Sequence, residues 1–181
     1  MALARTSSTR TDIDFAKCIE RIAHEINERY QPDERLVLLG IPTRGVPLAE
    51  RISAALHRLH HRSAPTGSLD VTMFRDDLRK RPVRSLLPTV LPAEGIDDAH
   101  VVMVDDVLFS GRTIRAALDA LVGFGRPRTV ALAVLIDRGH RELPIKADFV
   151  GKNIPTNALD EVRVSLSEID GQDDVEVVLG Q

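Results

Sequence analysis

The sequence predicts an α/β fold, a doubly wound and mainly parallel sheet flanked by helices. Short, continuous apolar runs at residues 36–41, 101–104 and 129–136 are what strands show when both sheet faces are covered. Between them lie stretches whose apolar residues recur at helical spacing. Small-residue turns follow two of the apolar runs directly, at the strand ends where open α/β sheets bind ligands.

Residues 1–10 are rich in Ser, Thr and Arg and predict a disordered tail, leaving 11–181 as one domain. Thr11 with Asp14 reads as a capping box, and Phe15, Ile19, Ile22 and Ile26 then share one helix face. Residues 36–41 form a buried strand. A turn at 42–45 leads to a second helix with Leu48, Ile52, Leu56 and Leu59 on one side. Residues 69–74 alternate apolar and polar, predicting a strand with one solvated face. Residues 75–100 are long, polar and proline-containing, and a loop of that length in a compact domain is a functional or mobile one. After the strand at 101–104 a helix runs to about residue 124, stopped by Gly125 and Pro127. Residues 129–136 give the next strand. Two shorter ones, near 162–166 and 175–179, flank the turn Asp170-Gly171-Gln172-Asp173.

A chain of 181 residues can bury a sizeable core, and 43% hydrophobic with 28% charged residues is ordinary for a globular protein. No apolar run approaches the roughly 20 residues of a membrane span, and no signal-peptide core follows Met1. A single cysteine excludes an internal disulfide and fits a reducing cytoplasm. Cys18 falls on the buried side of the first helix, with nothing nearby to activate it as a nucleophile. A net charge of −3 argues against indiscriminate nucleic-acid binding. The charge is uneven, however. Arg75, Arg79, Lys80, Arg81 and Arg84 cluster in one loop; Arg138, His140, Arg141, Lys146 and Lys152 form a second group; residues 168–176 are acidic.

The chemistry concentrates where the run at 101–104 meets Asp105 and Asp106, and then Phe109, Ser110, Gly111, Arg112 and Thr113. Hydroxyls, free backbone N–H groups and a helix N-terminus make a ready anion site, with glycine permitting close backbone approach. Carboxylates for sugar hydroxyls beside N–H groups for a phosphate point to a ribose-5-phosphate pocket. Adjacent carboxylates in a strand face opposite ways, so Asp105 and Asp106 have identical roles only if the strand has already ended. Thr43, Arg44 and Gly45 follow another strand end, a natural partner for a second anion. His57, His60 and His61 share a helix face, but without a fourth ligand or a supporting carboxylate they read as a surface cluster rather than a zinc site.

The segment 101–113 resembles the phosphoribosyl-pyrophosphate (PRPP) signature of type I phosphoribosyltransferases. Phe109 stands where a small residue is usual, and an aromatic there resembles one subfamily, the pyrimidine-operon regulator/uracil phosphoribosyltransferases of the PyrR type. Segments 21–25, 43–45, 74–78, 137–145 and 151–156 support it, occur in the family's order, and extend the likeness over roughly residues 12 to 170. The resemblance implies a type I phosphoribosyltransferase fold with a small hood and a flexible loop. It implies a 5′-phosphate loop at Phe109, Ser110, Gly111, Arg112 and Thr113, and ribose contacts at Asp105 and Asp106. Pyrophosphate would lie at Thr43, Arg44 and Gly45, in a loop that often holds a non-proline cis peptide. A flexible catalytic loop would carry Arg75, Asp76, Asp77, Arg79 and Lys80, closing over the anionic substrate. Asp137 and Arg138 would face the nucleobase. Arg21, His24, His140, Arg141, Lys146 and Lys152 match the family's RNA-contacting surface; the cations alone are equally consistent with a solvated face.

The activity so implied is uracil plus PRPP giving UMP plus pyrophosphate. Mg2+ would be held mainly by PRPP and water, without a direct protein ligand. UMP or UTP in the same pocket would favour binding to the leader mRNA of the pyrimidine (pyr) operon, in a cytoplasmic homodimer or homotetramer. Two rivals use the same fold: transfer to another base, purine or orotate, and an RNA regulator that binds PRPP or UMP only as a signal. A phosphoacceptor receiver domain also clusters acids at strand ends, but it has no need of the Ser110–Thr113 phosphate turn.

Overall fold

A computed structural model describes residues 8–76 and 87–180. The five-stranded sheet is wholly parallel in its ladders. Its strands are β2 (Leu36–Gly40), β3 (Thr66–Ser68), β4 (His100–Leu108), β5 (Thr129–Asp137) and β6 (Phe149–Asn153), in the order β3-β2-β4-β5-β6. Side chains leave alternate faces, and the core divides accordingly. Leu36, Leu38, Val102, Val104, Ala131 and Ala133 pack with helices α1 (Phe15–Arg29) and α2 (Gly45–His60). Val37, Leu39, Val101, Met103, Leu132 and Val134 pack with α3 (Arg112–Leu121) on the opposite side. Burial on both faces is why these three strands read as unbroken apolar runs.

A second sheet, antiparallel, joins β1 (Ser8–Arg10), β8 (Asp174–Val178) and β7 (Glu161–Ser165) in that order. A single-turn helix, α4 (Ser167–Asp170), links β7 to β8. Val162, Val164, Leu166 and Val175 from this hood share the core of α1 and α2.

Four local expectations shift. Ser8–Arg10 is a strand, its residues paired with Glu176–Val178, where the composition predicts tail. The cap of α1 is Asp14, whose carboxylate accepts from the Lys17 N–H at 3.0 Å, while Thr11 N–H donates to Val175 O. The strand expected at 69–74 lies earlier, at Thr66–Ser68. Asp70 Oδ1 takes both the N–H and the hydroxyl of Thr72 and turns the chain into the 3-10 helix Thr72–Phe74. Strand β6 has no counterpart in the sequence reading. It is an edge strand whose Lys152 and Asn153 are exposed.

Candidate active site

Strands β2 and β4 are neighbours, paired through Gly40 opposite Val104, and each ends in a loop that starts a helix. Sheet order reverses here, since β3 lies on one side of β2 and β4 on the other, which makes this the crevice where such sheets take ligands. The first loop, between β2 and α2, contains a cis peptide at Pro42–Thr43. Ile41 N–H donates to Val104 O at 2.8 Å, tying the loop to β4. Gly45 then rests against the same carbonyl: a Cβ on it would lie 2.3 Å from Val104 O.

The second loop, residues 109–111, joins β4 to α3. Gly111 caps α3 at φ 91°, a left-handed conformation that glycine adopts freely. Ser110 O accepts from Glu142 N–H and Leu143 N–H at 3.0 and 3.1 Å, and Arg141 donates to Phe109 O at 2.9 Å. These bonds tie the loop, at the start of α3, to residues 141–143, and a helix N-terminus there offers N–H groups without intrahelical partners.

Asp105 and Asp106 lie inside β4, which continues to Leu108, so the condition for identical roles fails. Asp105 is 8% exposed, and its Oδ1 accepts from Asp106 N–H at 2.9 Å. Asp106 is half-buried, and its Oδ1 accepts from Val107 N–H at 2.8 Å. Burial, reinforced by the Asp106 charge, pushes the Asp105 carboxyl well above the usual carboxylate range.

A cavity of about 280 Å3 opens beside them, walled by Asp105, the 109–111 loop, Thr113, Arg75, Asp76 and Glu142. Arg75 donates to Thr113 Oγ1 at 3.3 Å. Arg112 bridges Glu142 and Asp76, both at 2.7 Å. A helix-starting glycine loop, a buried carboxylate and a rim of paired arginines and carboxylates thus meet at one strand end.

The phosphoribosyl transferase domain family matches residues 12–169. The chain is 61% identical over 162 residues to "Bifunctional protein PyrR" of Streptomyces coelicolor, covering 90% of this chain and 84% of that protein. It is 55% identical over 166 residues to the protein of the same name from Corynebacterium glutamicum, at 90% and 86% coverage. The chain belongs to the PyrR family of phosphoribosyltransferases. Its fold is shared with the hypoxanthine phosphoribosyltransferase of Trypanosoma cruzi, at TM-score 0.67 and 21% identity, covering 92% of this chain and 93% of that one. A hypoxanthine-guanine phosphoribosyltransferase of Bacillus anthracis gives TM-score 0.69 at 18% identity, with 96% and 99% coverage.

In this phosphoribosyltransferase the other expected residues fall as follows. Asp137 and Arg138 end β5 beside the 109–111 loop. Asp137 accepts from Gly139 N–H at 2.9 Å and from the Arg141 guanidinium. Burial alone would raise its pKa, but these bonds and the Arg141 charge outweigh burial and hold it low. Arg138 is only 5% exposed. Its guanidinium covers the Phe109 ring at 4.1 Å and donates to Thr156 Oγ1, Asn157 O and Ala158 O. Asp77, Arg79 and Lys80 lie outside the described residues.

The cations matched to RNA separate into two sets. Arg141 is turned inward, donating to Ile145 O, Gly139 O and Asp137 as well as to the 109–111 loop. Arg21 donates to Val150 O on β6 at 2.8 Å, which brings it beside the strand bearing Lys152. His24 packs edge-on against His60, and His140 bonds Thr156 O. Lys146 and Lys152 are exposed.

Arg44 does not reach into open solvent. It forms a two-pronged ion pair with Asp170 of α4, Nε to Oδ2 at 3.1 Å and Nη2 to Oδ1 at 2.9 Å. Glu142, Thr156 and Asp170 are polar partners that the sequence reading does not single out. The first two lie within stretches whose family likeness is legible, whereas nothing in sequence couples Asp170 to a residue 126 positions away.

Proposed function

We infer that the chain transfers the 5-phosphoribosyl group of PRPP to uracil, giving UMP and pyrophosphate. The same chain acts as a uridine-nucleotide-sensing regulator that binds the leader mRNA of pyrimidine-biosynthesis genes. One observation carries the enzymatic reading: two helix-starting loops on adjacent strands, 41–44 and 109–111, flank a buried carboxylate beside a cavity.

The 5′-phosphate sits on Ser110, Gly111, Arg112 and Thr113. Asp105 and Asp106 receive the ribose hydroxyls, and the loop Thr43-Arg44-Gly45 receives the pyrophosphate. Arg75, on the cavity wall beside Asp76, adds a cation that faces the bound anions. Uracil's ring nitrogen forms the new bond to the anomeric carbon as the carbon–oxygen bond to pyrophosphate breaks, and the proton of that ring nitrogen leaves to water or the departing pyrophosphate. Positive charge builds on the ribose ring beside the Asp105–Asp106 pair. Positioning and electrostatics supply the rate. Uracil lies against Asp137, Arg138 and Phe109, and its choice over other bases is supported by the family likeness of residues 137–156.

Mg2+ suits this donor set. The ion would be held mainly by PRPP oxygens and water without a direct protein ligand, with the hard oxygens of Asp105 and Asp106 nearby to receive its bound water. When bound with PRPP, the ion neutralises the departing pyrophosphate.

Regulation is supported by the word "Bifunctional" in the relatives' name and by Arg21 and Lys152 at β6, together with His24, His140 and Lys146. Residues 11–181 act as one unit, supported by the core shared between hood and main sheet. Among the described residues no helix is long and apolar enough to cross a membrane. A cytoplasmic homodimer or homotetramer is part of the same proposal.

The test is a base panel. The purified chain is incubated with Mg2+, PRPP and each of uracil, orotate, adenine, guanine and hypoxanthine, with nucleotide and pyrophosphate assayed and Asp106→Asn run alongside. Product with uracil alone, lost in the variant, is the expected result. Product with another base corrects the acceptor. No product at all reduces the chain to a ligand-sensing regulator.

A further inference from the structure

We propose that Asp170, a hood residue distant in sequence from every substrate-contacting segment, is a positioning residue for pyrophosphate. It acts by fixing the orientation of Arg44. The inference rests on the placement of pyrophosphate at Thr43-Arg44-Gly45 made above.

The geometry is that of an arginine held from behind. Asp170 engages Nε and Nη2, one long edge of the guanidinium. Among the described residues no protein acceptor takes Nη1, so the opposite edge stays available to an anion. A guanidinium is a planar fork with five N–H donors, and fixing one edge fixes the direction of the other. Arg44 also sits immediately before Gly45 at the start of α2, where Gly45 N–H already donates to Ile41 O and Pro47 has no N–H, so the guanidinium carries the anion contact there.

Asp170 is itself immobilised. Its Oδ2 accepts from Leu166 N–H at 2.9 Å, and its own N–H returns to Leu166 O at 2.6 Å. Two turns along α2, Arg51 grips the same hood segment, reaching Glu168 at 2.6 Å and Asp173 at 2.8 Å. The hood turn is therefore clamped to α2 at two points, of which only the Arg44 clamp touches the substrate loop. The negative charge of Asp170 lies behind the guanidinium and is partly exposed, so solvent screens its repulsion of pyrophosphate. Loss of orientation outweighs loss of that repulsion.

The test compares Asp170→Asn, Arg44→Ala, the double variant and Glu168→Gln, all as full chains. KM for PRPP, KM for uracil, kcat and Tm are measured for each. Asp170→Asn is expected to raise KM for PRPP roughly three- to tenfold, the loss of one oriented hydrogen bond, with uracil KM and kcat within about twofold. The double variant is expected to be no worse than Arg44→Ala, because Asp170 acts only through Arg44. Glu168→Gln loosens the neighbouring clamp and is expected to lower Tm while leaving KM for PRPP in place.

Three results overturn the inference. A raised KM for PRPP in Arg44→Ala with no change in Asp170→Asn removes the positioning role while keeping pyrophosphate at Arg44. Glu168→Gln raising KM for PRPP as much as Asp170→Asn reduces the effect to general hood packing. An Arg44→Ala variant with unchanged KM for PRPP removes the pyrophosphate placement itself. Calorimetric titration with Mg2+-pyrophosphate repeats the comparison without turnover.

Discussion

Replacing Arg138 by alanine tests whether the strand-end loops are held together by one buried cation. The side chain is 5% exposed and spans two elements, stacking on Phe109 at 4.1 Å and donating to Asn157 O at 2.8 Å. A hydrogen bond from a charged donor contributes about 1.5–3 kcal/mol. The stacked cation adds about 0.5–2 kcal/mol. The bonds to Thr156 Oγ1 and Ala158 O, at 3.2 and 3.4 Å, are long and add little. Against these stands the cost of burying the guanidinium, whose pKa burial pushes down, with Asp160 and Glu161 only partly offsetting that. The net loss for Arg138→Ala is about 2–4 kcal/mol, since removal also forfeits the packing of the aliphatic stem. At about 2–4 °C per kcal/mol for a chain of this size, Tm falls by roughly 10 °C. Urea denaturation of wild type, Arg138→Ala and Arg138→Lys measures it. Lysine has no planar fork, so Arg138→Lys recovers less than half of the loss. A loss under about 1 kcal/mol, or an Arg138→Lys variant equal to wild type, would refute the reasoning. A cycle with Phe109→Leu isolates the stacking: additive losses would remove the Phe109 share of the account.

Further outcomes follow from the same structure. The Asp105 carboxyl is held high by burial and by Asp106, so the folded chain binds its proton more tightly than the unfolded one. That contribution is present at acid pH and fades as pH rises through the raised value. Asp105→Asn is therefore expected to gain stability over wild type as pH rises above the ordinary carboxylate range, while losing transferase activity; urea midpoints across a pH series check the sign, and a gain that shrinks with rising pH contradicts it. Gly45→Ala places a Cβ 2.3 Å from Val104 O, so α2 must move off β4. A loss of about 1–3 kcal/mol with a raised KM for PRPP is expected, and unchanged PRPP kinetics would show that the 41–44 loop tolerates the shift. Gly111→Ala forces a left-handed backbone on alanine, at about 1–2 kcal/mol, and is expected to weaken phosphate binding in a PRPP titration.

Strands β2, β4 and β5 were legible in the sequence because burial on both faces makes their central stretches continuous apolar runs. Strand β6 was not. It pairs only with β5, and Lys152 and Asn153 face solvent, so no apolar run marks it. Strand β3 is three residues without a large apolar side chain, while the flanking Leu69 and Val71 are buried outside any strand. Hydrophobicity therefore pointed to the wrong residues. The loop 109–113 and the Asp105–Asp106 pair were visible as contiguous chemistry. The clamp of Arg44 by Asp170 was invisible, because it joins residues that share only a place in the folded chain.

The pairing of Gly40 with Val104 sets a length as well as a register. Parallel strands stand about 4.8 Å apart, and the two loops proposed to hold the anions leave the sheet at these two neighbouring strands. Backbone hydrogen bonding thus fixes the span between the two anchor points as if by a ruler. Side-chain changes in either loop can tune grip but not gauge. On the proposed placement of the two anions, a substrate with one phosphate group too near or too far along the sugar is expected to be rejected by the spacing of the peptide lattice, before any side chain has read its chemistry.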